Sequence, residues 1–228
     1  MLDPVMPGDE AVGVDGWRGG WVAVVLRSGA FHRAFAASTM SEVIASTPDA
    51  MVGVDIPIGF PTHGRRSADV AARELLGRRR SSVFLVPPRA VVEAATYKEA
   101  RETALRVWDQ GVSAQSYALR DKMLEVNELK QLGTELFEVH PEVSFRIMAG
   151  SPLAHGKKTW NGQHERRALL ESEGITIPDN LEGQAGEVPA DDLLDAAAVA
   201  WTAHRYLKGI AGSLPEGGKR GDDSTIWF

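Results

Sequence analysis

The sequence predicts an α/β fold built on a mixed sheet with helices beside it. Three observations carry that expectation. Short apolar runs at residues 11–16, 20–26 and 30–37 are separated only by the turn signals Gly19-Gly20 and Ser28-Gly29. Connections this short allow only antiparallel pairing, because a parallel crossover needs roughly a dozen residues or more. A fourth run, MVGVDI at residues 51–56, follows a helical stretch and can return parallel to the first. Finally, residues 190–208 (ADDLLDAAAVAWTAHRYLK) are alanine-rich and stop at Gly209, which marks a helix.

Each remaining element follows from local patterning. Residues 39–47 read as a helix with Ser41 as N-cap, ended by Pro48. The continuous apolar VGV of the fourth strand suits a central strand covered on both faces. Pro57 and Pro61 close it. Helices are expected at 67–76, 97–110 and 115–131, where Ala104, Leu105, Trp108 and Tyr117, Leu124 recur near the helical period. ELFEVH at 135–140 reads as a fifth strand, and Pro141 opens a helix over 141–149. Residues 150–162 read as loop, 163–173 as a helix ending at Gly174, and 175–189 as loop. The chain is thus expected to form a single domain over 1–228 with a helical insertion at about 62–133. Its core is placed at about 10–210, with flexible ends at 1–9 and 211–223.

Composition removes several classes of chemistry. There is no cysteine, so disulfides, thiolate nucleophiles, iron–sulfur clusters and Cys-ligated zinc are excluded. No stretch approaches the ~20 apolar residues of a membrane helix. The opening MLDPVMPGDE lacks the basic start and apolar core of a secretory signal, so a cytoplasmic protein is expected. The net charge is −6, yet residues 60–122 hold twelve Lys and Arg against seven Asp and Glu. A basic middle inside an acidic frame permits an anionic ligand at one place. Charge runs are more often solvated helix faces.

Three carboxylates stand out by position. Asp15 ends the first strand (GVDG) and Asp55 the fourth (GVDIP). If those strands are parallel neighbours, both acids emerge at the carboxyl edge of the sheet, where ligands bind in open α/β folds. Asp192 and Asp195 are three apart and share a helix face. Asp191 reads as ordinary charge at a helix N-terminus. Asp195 lies past the first turn among Leu193, Leu194, Ala196 and Ala197, where an unpaired carboxylate is costly and a divalent cation would remove the cost. Converging carboxylates suit Mg²⁺ or Mn²⁺, which take oxygen ligands.

The segments GVDGWRGGWVAVV, VGVDIPIGFP, FEVHPEVSF, KKTWNGQHERRALL and DDLLDAAAVAW, in order from about residue 11 to 207, resemble a family of predicted RNase H-like nucleases catalogued as a domain of unknown function. That resemblance implies a five-stranded mixed sheet of order 3-2-1-4-5 and a divalent-metal nuclease. It also implies metal ligation by Asp15, Asp55 and Asp195, with Asp192 matching the extra final-helix acid of Holliday-junction resolvases. Strand four carries Asp where resolvases carry the longer Glu.

Further candidates surround these acids. Glu138, His140 and Glu142 come from FEVHPE, with alternation placing Glu138 and His140 on one strand face. His140 suits proton transfer near neutral pH, a role as a soft ligand, or a helix cap. Arg65, Arg66, Arg78, Arg79 and Arg80 flank one helix after the Asp55 loop, where they could contact phosphates or simply be solvated. Arg18 follows the first strand, and Lys157 and Lys158 match the family's lysine motif and could orient a phosphate. Trp17 and Trp21 flank the first hairpin turn; stacking on bases is open to them, but burial against a helix is the commoner fate. A phosphodiesterase acting on nucleic acid leads these readings. A catalytically silent binding domain and small-phosphoester hydrolysis or phosphoryl transfer remain beside it.

Overall fold

Strands β1 (Glu10–Trp17), β2 (Gly20–Arg27) and β3 (Ala30–Ala37) form the expected antiparallel meander. The computed structural model describes residues 9–108 and 110–228, so the expectation for residues 1–8 lies outside the described residues. Helix α1 (Met40–Ser46) is capped by Thr39 rather than Ser41: Thr39 has extended backbone and its hydroxyl accepts from the Glu42 N–H at 3.2 Å. The cap needs that non-helical conformation, and Ser41 already lies inside the first turn. Strand β4 (Met51–Val54) then pairs parallel with β1.

Helices α2 (Ser67–Leu76), α3 (Arg89–Val92), α4 (Tyr97–Val107), α5 (Ala114–Ala118) and α6 (Arg120–Gln131) separate β4 from β5 (Leu136–Val139). This stretch is more than an insertion. Met123 and Val126 of α6 pack with Val12, Val14 and Val54 on one sheet face, beside Met40 and Val43 of α1. Val91, Ala100, Ala104 and Trp108 of the α3–α4 portion form a separate cluster, while Ala68, Ala72 and Leu76 of α2 pack with Val143 and Ile226.

Helices α7 (Pro141–Met148), α8 (Trp160–Ser172) and α9 (Ala190–Leu207) cover the opposite face. α8 starts earlier than its apolar spacing suggested, because the Thr159 hydroxyl accepts from Gly162 N–H at 3.0 Å and caps it. Two strands complete the sheet, β6 (Ser213–Leu214) and β7 (Ile226–Trp227). Among the described residues the order is β3-β2-β1-β4-β5-β7-β6, seven strands where five were expected. The first five follow the expected order. The added pair escaped the sequence because two-residue strands have no periodicity; β7 lies parallel to β5, with Ile226 and Trp227 buried there. Among the described residues, no helix is long and apolar enough to cross a membrane.

The contact that positions the site is between β1 and α9. Alternation sends Val12 and Val14 to the α1/α6 side and Ala11 and Gly13 to the α9 side. A Cβ on Gly13 would lie 2.0 Å from Ala200 N and 2.1 Å from Ala196 O. Glycine facing alanines therefore lets the helix backbone rest on the strand. The same row of β4 carries Gly53, whose Cβ would meet Val199 at 3.1 Å.

Candidate metal centre

Continuing each alternating row by one step gives the site. β1 and β4 pair in the register Gly13↔Gly53 and Val14↔Val54, and Asp55 N–H donates to Val14 O at 2.9 Å. Asp15 and Asp55 are therefore the next residues of the α9-facing rows on adjacent strands, which lie about 4.8 Å apart. α9 runs with its N-terminus toward this edge. From the Ala196–Ala200 contact with Gly13, roughly one helical turn back reaches Asp195, while two strand residues forward reach Asp15, and the two steps are of similar length. One carboxylate oxygen from each of Asp15, Asp55 and Asp195 lies within 4.8 Å of the other two.

These acids open into a cleft of about 450 Å³ that Glu138, His140, Glu142, Lys157, Lys158 and Asp192 also line. Gln115 and Leu119 of the α5–α6 region contribute to another part of its wall. Asp15 and Asp195 are buried and Asp55 is half-buried. Burial, then the charges of Asp55 and Asp195, pushes Asp15 well above the usual carboxylate range. Burial raises Asp55 to about 7 against the pull of Lys157. It raises Asp195 to about 7 likewise, although Lys157 Nζ donates to Asp195 Oδ2 at 2.5 Å. Asp192 is raised by burial and by Asp191. Burial acts to lower Lys157, but its pairing with Asp195 and the charges of Asp15 and Asp55 win and raise it.

Two buried carboxylates and a half-buried one thus share one ammonium, and Asp195 Oδ1 has no hydrogen-bond partner among the described residues. An all-oxygen donor set with a negative excess and an unused buried lone pair fits a divalent cation. The three acids could hold one.

The other residues singled out by sequence fall into separate groups. Glu138 is buried, accepts from Ile58 N–H at 2.7 Å and is gripped by both terminal nitrogens of Arg66 at 2.8 and 2.7 Å. Burial raises its pKa against that ion pair. Arg66 is 4% exposed, also bonded to Asp69, and so is turned inward rather than facing solvent beside Arg65. Glu142, in the first turn of α7, pairs with the fully buried Arg166, with Arg79 at 3.7 Å. His140 sits just past β5 and caps α7 through its backbone only. Its Nε2 lies 3.4 Å from Ser82 O, Nδ1 has no partner among the described residues, and burial lowers its pKa.

The five arginines do not form one entrance. Arg66 and Arg79 line the cleft, Arg65 and Arg80 line a different hollow, and Arg78 is exposed. Arg18 is exposed on the β1–β2 turn, outside the cleft lining. Trp21 is fully buried, its indole N–H donating to Glu125 at 3.1 Å.

Sequence reasoning passed over two acidic or basic partners. Asp191, read as ordinary charge at a helix N-terminus, is buried and lines the cleft. Arg166 of the HERRALL segment was not singled out; its spacing of four from Gly162, whose carbonyl it binds at 3.0 Å, was the available signal.

Fold and site together define a mixed α/β protein with a buried carboxylate triad at the carboxyl edge of two central parallel strands. The chain belongs to the family described as "Protein of unknown function (DUF429)", which matches residues 13–220. No match was found among curated proteins or among solved structures.

Proposed function

We propose that the chain is a divalent-metal-dependent phosphodiesterase of the RNase H-like type, acting on nucleic acid with Mg²⁺ or Mn²⁺. The observation that carries this reading is the triad itself: three carboxylates with ligand oxygens within 4.8 Å, only partly offset by one lysine. A divalent ion there would supply water activation and stabilisation of the leaving oxygen. Asp15, Asp55 and Asp195 would hold it, with Asp192 at the margin. Lys157, already drawn to the acids, moves its ammonium to a non-bridging phosphate oxygen and balances charge developing there. Lys158, exposed on the same loop, meets the phosphate from the solvent side. His140 is kept neutral by burial, and with Nε2 turned to Ser82 O its Nδ1 is the cleft's candidate proton acceptor.

Thermal unfolding with and without Mn²⁺, alongside hydrolysis of bis(p-nitrophenyl) phosphate and of nucleic acids, tests the reading. With metal at about a hundred times its Kd the midpoint should rise by roughly 5–10 °C. Phosphodiester cleavage should accompany the shift and vanish in Asp55→Asn. A midpoint indifferent to metal removes the metal site. A metal-dependent midpoint without cleavage of any phosphodiester leaves a silent binding domain.

A further inference from the structure

A second hollow, about 540 Å³, lies between α8, the start of α9 and the segment around residues 177–188. Its size is within the usual range for small-molecule sites, roughly 300–1,000 Å³. Trp160, His164 and Arg167 of α8 line one side, Leu193 and Leu194 of α9 the other, with Asn180 between them in the lining. Trp160 is 74% exposed, an unusual state for a residue normally well buried. It is not loosely held. It is the first residue of a helix capped by Thr159, and the His164 ring packs edge-on against it at 4.4 Å between centroids.

The hollow and the carboxylate cleft share a ridge. Trp160 lines the hollow while Lys157 and Lys158, three and two residues earlier, line the cleft. On the facing element Ala190 lines the hollow while Asp191 and Asp192 line the cleft. Along this segment the lysines that line the cleft are followed closely by the tryptophan that lines the hollow.

We infer that this hollow is a nucleobase subsite, in which Trp160 stacks an unpaired base of the strand whose phosphate sits at the carboxylates. The inference rests on the phosphodiesterase reading and narrows it to single-stranded nucleic acid. An aromatic platform beside a basic track is how single strands are gripped, because every base offers a π face. A base inside a duplex has both faces already stacked and cannot use the platform.

The test uses the full chain in low-salt buffer with Ca²⁺, and reads fluorescence polarisation of three labelled ligands: a short single strand, an abasic strand of equal length, and the duplex. The base-bearing single strand should bind roughly 5–150-fold more tightly than the abasic strand. Trp160→Ala should erase that preference and Trp160→Phe should keep most of it. Trp160 is exposed, so neither variant removes core packing. Equal affinities for the base-bearing and abasic strands overturn the proposal, as does unchanged preference in Trp160→Ala. Loss of a dimer in Trp160→Ala, with nucleic-acid binding untouched, assigns the hollow to self-association and also overturns it. Hydrolysis of the abasic strand, with Mn²⁺ in place of Ca²⁺, separates this from the parent reading: it should be the same in wild type and Trp160→Ala. Base preference without any hydrolysis keeps the subsite and removes the phosphodiesterase; hydrolysis without base preference does the reverse.

Discussion

The two walls of the cleft bury carboxylates in opposite ways. On one wall Arg66 lies between Asp69 and Glu138, and all four carboxylate oxygens are used. Ile58 N–H and Val86 N–H take the positions the guanidinium leaves. Arg166 answers Glu142 nearby in the same manner, though Glu142 Oε2 keeps no hydrogen bond. On the other wall, among the described residues, Asp15, Asp55 and Asp195 share Lys157, and Asp195 Oδ1 is left without a partner. Desolvation penalises a charged group on either wall. The first wall offsets it internally and is closed. The second is left unfinished, and an unfinished buried cluster at a sheet edge is where an external cation has something to gain. The difference separates structural acids from candidate functional ones, which residue type alone did not.

Breaking the closed wall should have the largest effect. Arg66→Met leaves two buried carboxylates facing each other without a cation, and should cost about 3–5 kcal/mol. Urea unfolding with and without Mn²⁺ measures it, and the loss should be the same in both conditions. A loss below about 1 kcal/mol would mean that this wall is not held by its ion pairs, and the contrast collapses.

Relieving the open wall should move stability the other way. Asp15, Asp55 and Asp195 have folded-state pKa values raised above the unfolded value near ~4. A raised carboxylate favours the folded state while protonated. Its contribution is therefore complete below about pH 4 and is lost as pH rises through about 7 for Asp55 and Asp195. The metal-free protein should lose stability over that window, on the order of 1 kcal/mol per pH unit. Asp55→Asn should flatten the slope, raise metal-free stability at pH 8 and abolish the Mn²⁺ response. Chemical denaturation at several pH values checks all three, and a slope of opposite sign shows the triad to be already compensated.

The smallest effect sharpens the boundary of the site. Arg65, Arg78 and Arg80 lie outside the cleft lining, whereas the exposed Lys158 lies within it. All four substitutions to Gln should leave stability within about 0.5 kcal/mol. Lys158→Gln should flatten the log–log salt dependence of single-strand binding by ~0.7, the value of one phosphate contact. The three arginine substitutions together should leave that slope unchanged. Salt titrations in which the arginines carry the slope instead would move the nucleic-acid path away from the lysine ridge.

Much of the site was legible because local periodicity wrote it. A strand's two-residue alternation places Asp15 in the row of Gly13 and Asp55 in the row of Gly53. The alanines of 196–200 mark a helix able to approach those glycines closely. From this the sequence by itself determined the meander and allowed a parallel β1–β4 pair; that Asp195 joins Asp15 and Asp55 was implied by the family resemblance. The sequence did not contain, in readable form, which charge meets which. Arg66 and Glu138 are 72 residues apart, and Lys157 and Asp195 are 38 apart. Nothing in the local spacing distinguishes Arg66 from Arg65, or Asp191 from any helix-starting acid. The same holds for the two-residue strands β6 and β7 and for Trp160, whose exposure depends on what α9 and residues 177–188 leave uncovered. Periodicity reports only how a segment alternates between core and solvent. Tertiary packing alone decides which distant group fills each buried position, because the cost of an unpaired charge is settled by neighbours the chain meets only when folded.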